Sequence, residues 1–359
     1  MNPSLETFIG CDCPYEEAQA VIFGAPFDST TSFRPGTRFG AKAMRGDSFG
    51  IETYSPYQDL DLGDYNVCDL GDLELPFGNS PRVLEQIYDT AKQILSDGKL
   101  PFMLGGEHLA SLAPIKAALE QYPDLCVLHF DAHTDLREDY LGETLSHATV
   151  MRRVWDLIGD GRLFQFGIRS GERKEFYWAK EHTFLQKSNF DRLEEAIAML
   201  HGKPVYFSID LDVLDPSVFP GTGTPEAGGV TFLQLLDAIV KAGKLNIVGM
   251  DVMALPCLRP QRNVYCSSLQ NSTGAVAFRT LQQIIEHRTG VLLKICLKYL
   301  LGLLKKPGSF SLVLTIAYPI VQDSPWNFQK FLRILLWNFN GLFAIMVLMV
   351  QTNFKKEMR

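Results

Sequence analysis

Six short runs of apolar, β-branched and aromatic residues recur before position 254, separated by stretches with helical spacing. The runs are 20–28 (AVIFGAPFD), 101–108 (PFMLGGEH), 125–135 (LCVLHFDAHTD), 163–170 (LFQFGIRS), 204–212 (PVYFSIDLD) and 246–253 (NIVGMDVM). Near-continuous hydrophobic strands need cover on both faces, which parallel sheets obtain from the helices that connect them. The segments 81–97, 110–121, 173–181, 191–201 and 231–242 supply those helices. The pattern predicts an α/β fold, a three-layer α/β/α arrangement around a mainly parallel sheet. Residues 1–250 contain no internal repeat and no low-complexity linker, so they read as one domain.

The sum of charges hides a break. The whole chain carries 34 Lys and Arg against 41 Asp and Glu, a net −7. Residues 291–359 hold nine basic and two acidic residues, or +7, which leaves −14 on residues 1–290. An acidic body is a poor binder of phosphate backbones, so nucleic acid is excluded as a general partner. The seven cysteines (Cys11, Cys13, Cys68, Cys126, Cys257, Cys266 and Cys296) are too scattered for a disulfide framework and include no C-x-x-C pair. The N-terminus has neither a basic start nor an apolar run, so it does not read as a secretory signal. A reducing, cytoplasmic compartment is expected.

Several of the apolar runs end in residues capable of chemistry: Asp28, then Glu107 and His108, then Asp131, His133 and Asp135, then Asp210 and Asp212, then Asp251. In open α/β sheets ligands bind outside the carboxyl ends of the strands. In an extended strand residues two apart share a face, so Asp131, His133 and Asp135 project together if that geometry persists, as do Asp210 and Asp212. Four clustered carboxylates repel one another and resist ionisation unless positive charge sits among them. Two divalent cations balance four carboxylates. Hard carboxylates with two imidazoles and no thiolate argue against structural zinc and suit Mn²⁺ or a similar ion. Such a pair activates water at neutral pH, which makes this hydrolytic machinery.

The same residues carry a family resemblance. GGEH (105–108), FDAHTD (130–135) and SIDLDVLDPSVFPGTGTPEAGG (208–229) resemble the three signatures of the ureohydrolases, the arginase and agmatinase family. SFRPGTRFGAKAMR (32–45) and LGETLSHATVMRR (141–153) also fit, and the latter with TPEAGG is similar to agmatinases rather than arginases. The resemblance runs from about residue 20 to 252 and implies an arginase-like domain over 1–290. It implies that His108, Asp131, Asp135 and Asp210 hold one Mn²⁺ and that His133, Asp131, Asp210 and Asp212 hold a second. By the same resemblance a metal-bridging hydroxide attacks the guanidinium carbon, Asp135 takes its proton, and His147 shuttles a proton or stabilises the transition state. His147 and Glu226 would meet the substrate, and the subunits would assemble as a homotrimer or hexamer.

The implied reaction is hydrolysis of agmatine to putrescine and urea, feeding polyamine synthesis. An acidic cleft favours a dication, and no donor cluster in 136–147 stands out to grip an α-carboxylate. The alternatives are another guanidino substrate, guanidinobutyrate or arginine, or a metal-binding homologue with impaired catalysis. Glu107 has two readings, as a support for His108 or as a satisfied strand-end charge. His147 taken alone is an ordinary loop histidine, and the glycines of 221–229 an ordinary loop. The spacing of a phosphate-binding loop is missing.

The pattern breaks at its last strand. The family continues Asp-x-x-Glu there, whereas this chain reads Asp251-Val-Met-Ala254, and the atypical stretch 254–271 follows. A guanidinium without its carboxylate partner loses a bidentate contact. One allowed set of codons for 256–266 (PCLRPQRNVYC), read one base later, encodes Pro-Ala-Tyr-Asp-Pro-Ser-Gly-Met-Ser-Thr-Ala, which resembles the family loop. A frameshift with return to frame at 272–287 is therefore expected, and the coding DNA across 250–359 decides it. Beyond 290 the tail is basic and hydrophobic, and its apolar run 334–350 is interrupted by Asn338 and Asn340. A spanning helix needs about 20 apolar residues. Out-of-frame sequence is preferred there to a membrane anchor.

Overall fold

The computed structural model describes residues 6–254. The expectations for 255–271, for 272–287 and for the tail 291–359 lie outside the described residues. Eight parallel strands make the central sheet: β1 (Ala20–Ala25), β4 (Val67–Asp72), β5 (Leu100–Gly105), β6 (Cys126–Phe130), β7 (Leu163–Ile168), β8 (Phe184–Lys187), β9 (Pro204–Asp210) and β10 (Asn246–Met253), with β2 (Tyr54–Ser55) and β3 (Leu60–Asp61) as a small antiparallel pair. The order across the sheet is β4-β1-β5-β10-β9-β6-β7-β8.

Alternation of side chains along each strand sorts the core into two layers. Ala20 and Ile22 of β1 join Met44 of helix α1 (Gly40–Ser48), Ala196 of α6 (Leu193–Leu200) and Ile239 of α7 (Phe232–Ala242) on one face. Val21 and Phe23 join the opposite face, with Ile87 of α2 (Ser80–Ser96), Ile115 of α3 (Leu112–Gln121), Val154 of α4 (Val150–Ile158) and Ala179 of α5 (Arg173–His182). The described residues thus form a three-layer α/β/α sandwich. Local sequence places the helix starts: Asn79 accepts a hydrogen bond from the Arg82 amide at 3.1 Å, and Thr231 and Gln234 form a reciprocal capping box.

All six apolar runs form strands. The two edge strands β4 and β8 carry no such signal. β4 reads VCDLGD because Asp69, wholly buried, is held by Arg45 of α1 at 2.8 and 3.0 Å. A buried charge tolerated only through its partner looks like loop in the sequence. β8 has four residues, three of them half-buried and the last exposed.

This topology positions the site. The chain leaves β5 and re-enters the sheet at β6, and β10 and β9 later fill the gap between them. The carboxyl ends of β5, β10, β9 and β6 therefore stand side by side. Gly106, after β5, allows the closest approach there: a Cβ at this position would lie 1.9 Å from the Phe27 carbonyl oxygen, which accepts the Glu107 amide at 2.8 Å.

Candidate active site

β6 stops at Phe130, so 131–135 is not the extended strand that the spacing predicts. The Asp131 amide still donates to the Phe166 carbonyl of β7 at 3.0 Å, but the chain then turns over its own side chain, with the His133 amide donating to Asp131 Oδ1 at 2.6 Å. Asp135 adopts a left-handed backbone with φ +51°. Asp212 likewise sits in a 3-10 turn (Leu211–Val213) after β9, its amide donating to Asp210 Oδ1 at 2.9 Å. His108 opens another such turn (His108–Ser111) after β5. The six residues meet because tight turns fold them over the strand ends. Asp28 departs from this group, for it accepts the Gly36 amide and pairs with Arg38. Asp251 lies within β10 and below the others.

Two groups form. Around Nδ1 of His108 stand Asp131 Oδ2 at 3.0 Å, Asp210 Oδ2 at 3.3 Å and Asp135 Oδ2 at 3.6 Å. Around Nδ1 of His133 stand Asp212 Oδ2 at 3.0 Å and Asp131 Oδ1 at 3.4 Å. Asp131 thus turns one oxygen to each histidine.

The hydrogen bonds behind His108 fix its tautomer. Ser208 donates its hydroxyl proton to Asp251 Oδ1 at 2.7 Å, so towards His108 Nε2, 2.8 Å away, Ser208 Oγ accepts. Nε2 then carries the proton and Nδ1 presents its lone pair to three carboxylates. That buried Nδ1 has no hydrogen-bond partner. Burial pushes the Asp135 and Asp212 carboxyls well up, and the neighbouring charges of Asp131 and Asp210 respectively add to it. Burial also opposes ionisation of Asp131, but the imidazoles of His108, His129 and His133 gathered around it outweigh that and hold this carboxyl well below the usual range. A lone pair aimed at carboxylates, and carboxylates that resist ionising together, fit divalent cations bound among them.

His129 escaped the sequence reading. It is buried, and its Nε2 lies 2.9 Å from Asp131 Oδ2. The Gln165 side-chain amide donates to the Thr134 carbonyl at 2.8 Å, which fixes the amide's orientation, and the same nitrogen lies 3.1 Å from His129 Nδ1. Nδ1 therefore accepts, Nε2 donates to Asp131, and His129 orients that carboxylate rather than offering it a lone pair. The signal was present, since His129 stands two residues before Asp131 on the same face. Arg169, at the end of β7, was missed too. Its guanidinium donates to the carbonyls of Asp212, Leu214 and Glu226 at 2.7, 3.3 and 2.9 Å, clamping the 212–226 loop.

The groups open into a cavity of about 280 Å³ whose wall includes Glu107, His108, His133, Asp135, His147, Asp210, Asp212 and Ala254. Glu226 approaches from its loop, with Oε1 4.0 Å from His133 Nε2 and accepting the Ser170 hydroxyl at 2.9 Å. Of its two expected forms Glu107 takes the second, a satisfied strand-end charge, and makes no bond to His108. Its carboxylate turns to Thr30 and Thr31, accepting the Thr30 amide at 2.9 Å and the two hydroxyls at 2.6 and 3.1 Å. Burial pushes it up to about 7 against those bonds. His147, half-buried, is pushed down to about 4 by burial. Ala254 brings a methyl group to the cavity from a left-handed backbone, φ +53°, its amide held by the Gly106 carbonyl at 2.9 Å.

Comparison with known proteins agrees with this geometry. The arginase family model matches residues 18–284. An agmatinase of Bacillus subtilis (strain 168) is 49% identical over 253 residues, covering 69% of this chain and 87% of that protein. An agmatinase of Pyrococcus horikoshii is 35% identical over 277 residues, covering 75% and 92%. The crystal structure of an agmatine ureohydrolase of Thermoplasma volcanium matches with a TM-score of 0.69 at 32% identity, covering 79% of this chain and 96% of that one. With its sheet, its clustered His and Asp side chains and a family match spanning most of its length, the chain belongs to the arginase family, in which agmatinases are among its relatives.

Proposed function

We propose that this chain is an agmatinase-like hydrolase of linear amidines, which converts agmatine and water to putrescine and urea at a pair of Mn²⁺ ions and serves polyamine synthesis in the cytoplasm. The observation that carries the reading is the split carboxylate of Asp131, one oxygen 3.0 Å from His108 Nδ1 and the other 3.4 Å from His133 Nδ1. A carboxylate so placed would suit a residue shared between two cations. The agmatinase match at 49% identity supports the substrate. The four cysteines among the described residues are free. Among those residues no helix is long and apolar enough to cross a membrane.

His108, Asp131, Asp135 and Asp210 would hold one ion, and His133, Asp131, Asp210 and Asp212 the other. Bound there, the ions supply the positive charge that lets the carboxylates ionise together and make a water nucleophilic near neutral pH. Asp135 stands beside His108 and receives the proton of the attacking water. His147, neutral in its buried setting, carries a proton to the departing amine. Glu226 offers a carboxylate to the cationic substrate. Arg137, a cation on the cavity wall, is engaged by Glu172 at 3.0 Å and Glu175 at 3.8 Å, so it is poorly disposed to grip an α-carboxylate. This favours agmatine over arginine. We also expect a trimer or hexamer, to be read from the solution mass by light scattering.

The Mn²⁺-loaded protein should release urea from agmatine in preference to arginine or 4-guanidinobutyrate. Activity on arginine with none on agmatine overturns the substrate. One observation favours a second reading, an impaired metal-binding homologue: Ala254 lines the cavity where the resemblance expects a glutamate. Turnover of the native chain at rates typical of enzymes, about 1–1,000 per second, removes that reading.

A further inference from the structure

Glu107 and His147 lie on separate loops, and Thr30 joins them. Thr30 Oγ1 donates its single proton to Glu107 Oε1 at 2.6 Å, a short bond of the charge-assisted kind. The same oxygen accepts the His147 backbone amide at 3.0 Å and stands 3.4 Å from His147 Nδ1. With its proton committed, Thr30 Oγ1 can only accept from the ring. Two other hydroxyls face the imidazole, Ser146 Oγ 3.3 Å from Nδ1 and Ser32 Oγ 3.1 Å from Nε2. Both can donate or accept. Were Nε2 to hold the ring proton, the lone pair of Nδ1 would face a lone pair of Thr30. With the proton on Nδ1, Thr30 and Ser146 both accept and Ser32 donates to Nε2, and every contact is satisfied.

We propose that Glu107, acting through Thr30, is a positioning residue that holds His147 as its Nδ1–H tautomer and leaves Nε2, beside the Ser32 hydroxyl, as the proton acceptor. The proposal deepens the hydrolase reading and rests on it for the role of His147, while the tautomer itself does not depend on turnover. His147 is the group without a carboxylate of its own, and Ala254 supplies none from the facing strand end. The Thr30 hydroxyl does at one remove what a directly bonded carboxylate does for a catalytic imidazole: it selects the tautomer and the ring orientation.

The test is ¹⁵N NMR of the histidine rings at pH 8.5 in the Mg²⁺-loaded full chain, with His147 assigned by its loss in His147→Asn. The wild type and Thr30→Ser should show His147 protonated on Nδ1. Thr30→Val removes the acceptor, and Glu107→Gln places an amide donor against Thr30 and frees the threonine proton to point at Nδ1, so both should move the ring proton to Nε2. In the Mn²⁺ enzyme the Thr30→Val and Glu107→Gln changes should lower kcat by about 10- to 100-fold with KM changed much less, and Thr30→Ser should restore most of it. An Nε2–H ring in the wild type overturns the proposal, as does an unchanged tautomer in both Thr30→Val and Glu107→Gln. If the wild type shows the Nδ1–H ring but releases urea from no guanidino compound, the relay stands and the hydrolase reading falls.

Discussion

Ser208 Oγ donates to Asp251 Oδ1 across neighbouring strands, 2.7 Å apart and wholly buried. The bond settles the direction of the next one and so decides which nitrogen of His108 faces the candidate metal centre. Removing either partner frees the imidazole to flip or change tautomer. Ser208→Ala and Asp251→Asn should each weaken Mn²⁺ binding by about 10- to 100-fold, measured by metal titration with the fold checked by circular dichroism. Undiminished affinity in both variants would mean that His108 does not depend on this support.

The two carboxylates proposed to be shared, Asp131 and Asp210, can be told from the others by metal count. Asp131→Ala and Asp210→Ala should lose both ions by elemental analysis after gel filtration, together with all activity. Two ions per chain retained in either variant would falsify the ligand assignment.

Ala254 predicts a gain. In Ala254→Glu a carboxylate enters the cavity wall beside His108 and His147, where it can meet a guanidinium. A contact of this charge-assisted kind is worth about 1.5–3 kcal/mol. The left-handed backbone there costs a substituted side chain no more than it already costs alanine. KM for agmatine should fall about tenfold or more. No change would mean that the residue at position 254 does not limit substrate affinity.

Asp215 provides the pH dependence. Its two oxygens accept the Ser217 amide and hydroxyl at 2.9 and 2.6 Å and the Gly228 and Gly229 amides at 2.8 and 3.1 Å, stapling the loop that carries Glu226. The Ser217 bonds foremost hold its pKa down to about 2. A depressed carboxyl contributes stability that is fully present above its unfolded pKa of about 4 and is lost as pH falls through the folded one. Asp215→Asn should therefore lower the melting temperature at pH 7, and the gap from wild type should shrink as the pH is lowered from 4 to 2. A gap that is constant with pH would assign the loss to geometry rather than charge.

The sheet was legible because each inner strand is a short apolar run bounded by helical spacing, and burial on both faces leaves that mark in composition. β4 was not, since its Asp69 is paid for by Arg45 from another element, and pairing over a separation of 24 residues leaves no local pattern. The six clustered residues were legible as types at strand ends. Their actual geometry was not: the period of an extended strand would have projected Asp131, His133 and Asp135 together, but the backbone turns at Asp131 and reverses hand at Asp135.

By itself, then, the sequence determined an α/β sandwich, the acidic strand ends, their resemblance to a ureohydrolase site and the missing glutamate at 254. Those properties are carried by residue type and by short-range spacing. Only the tertiary structure decided the proton positions: His129 behind Asp131, Ser208 and Asp251 behind His108, Glu107 turned away to Thr30. A hydrogen bond between side chains is directional and is set by neighbours from other strands. Residues such as Ser208 and Thr30 have many roles, and it is the fold, by bringing one donor and one acceptor within 3 Å, that leaves them a single one.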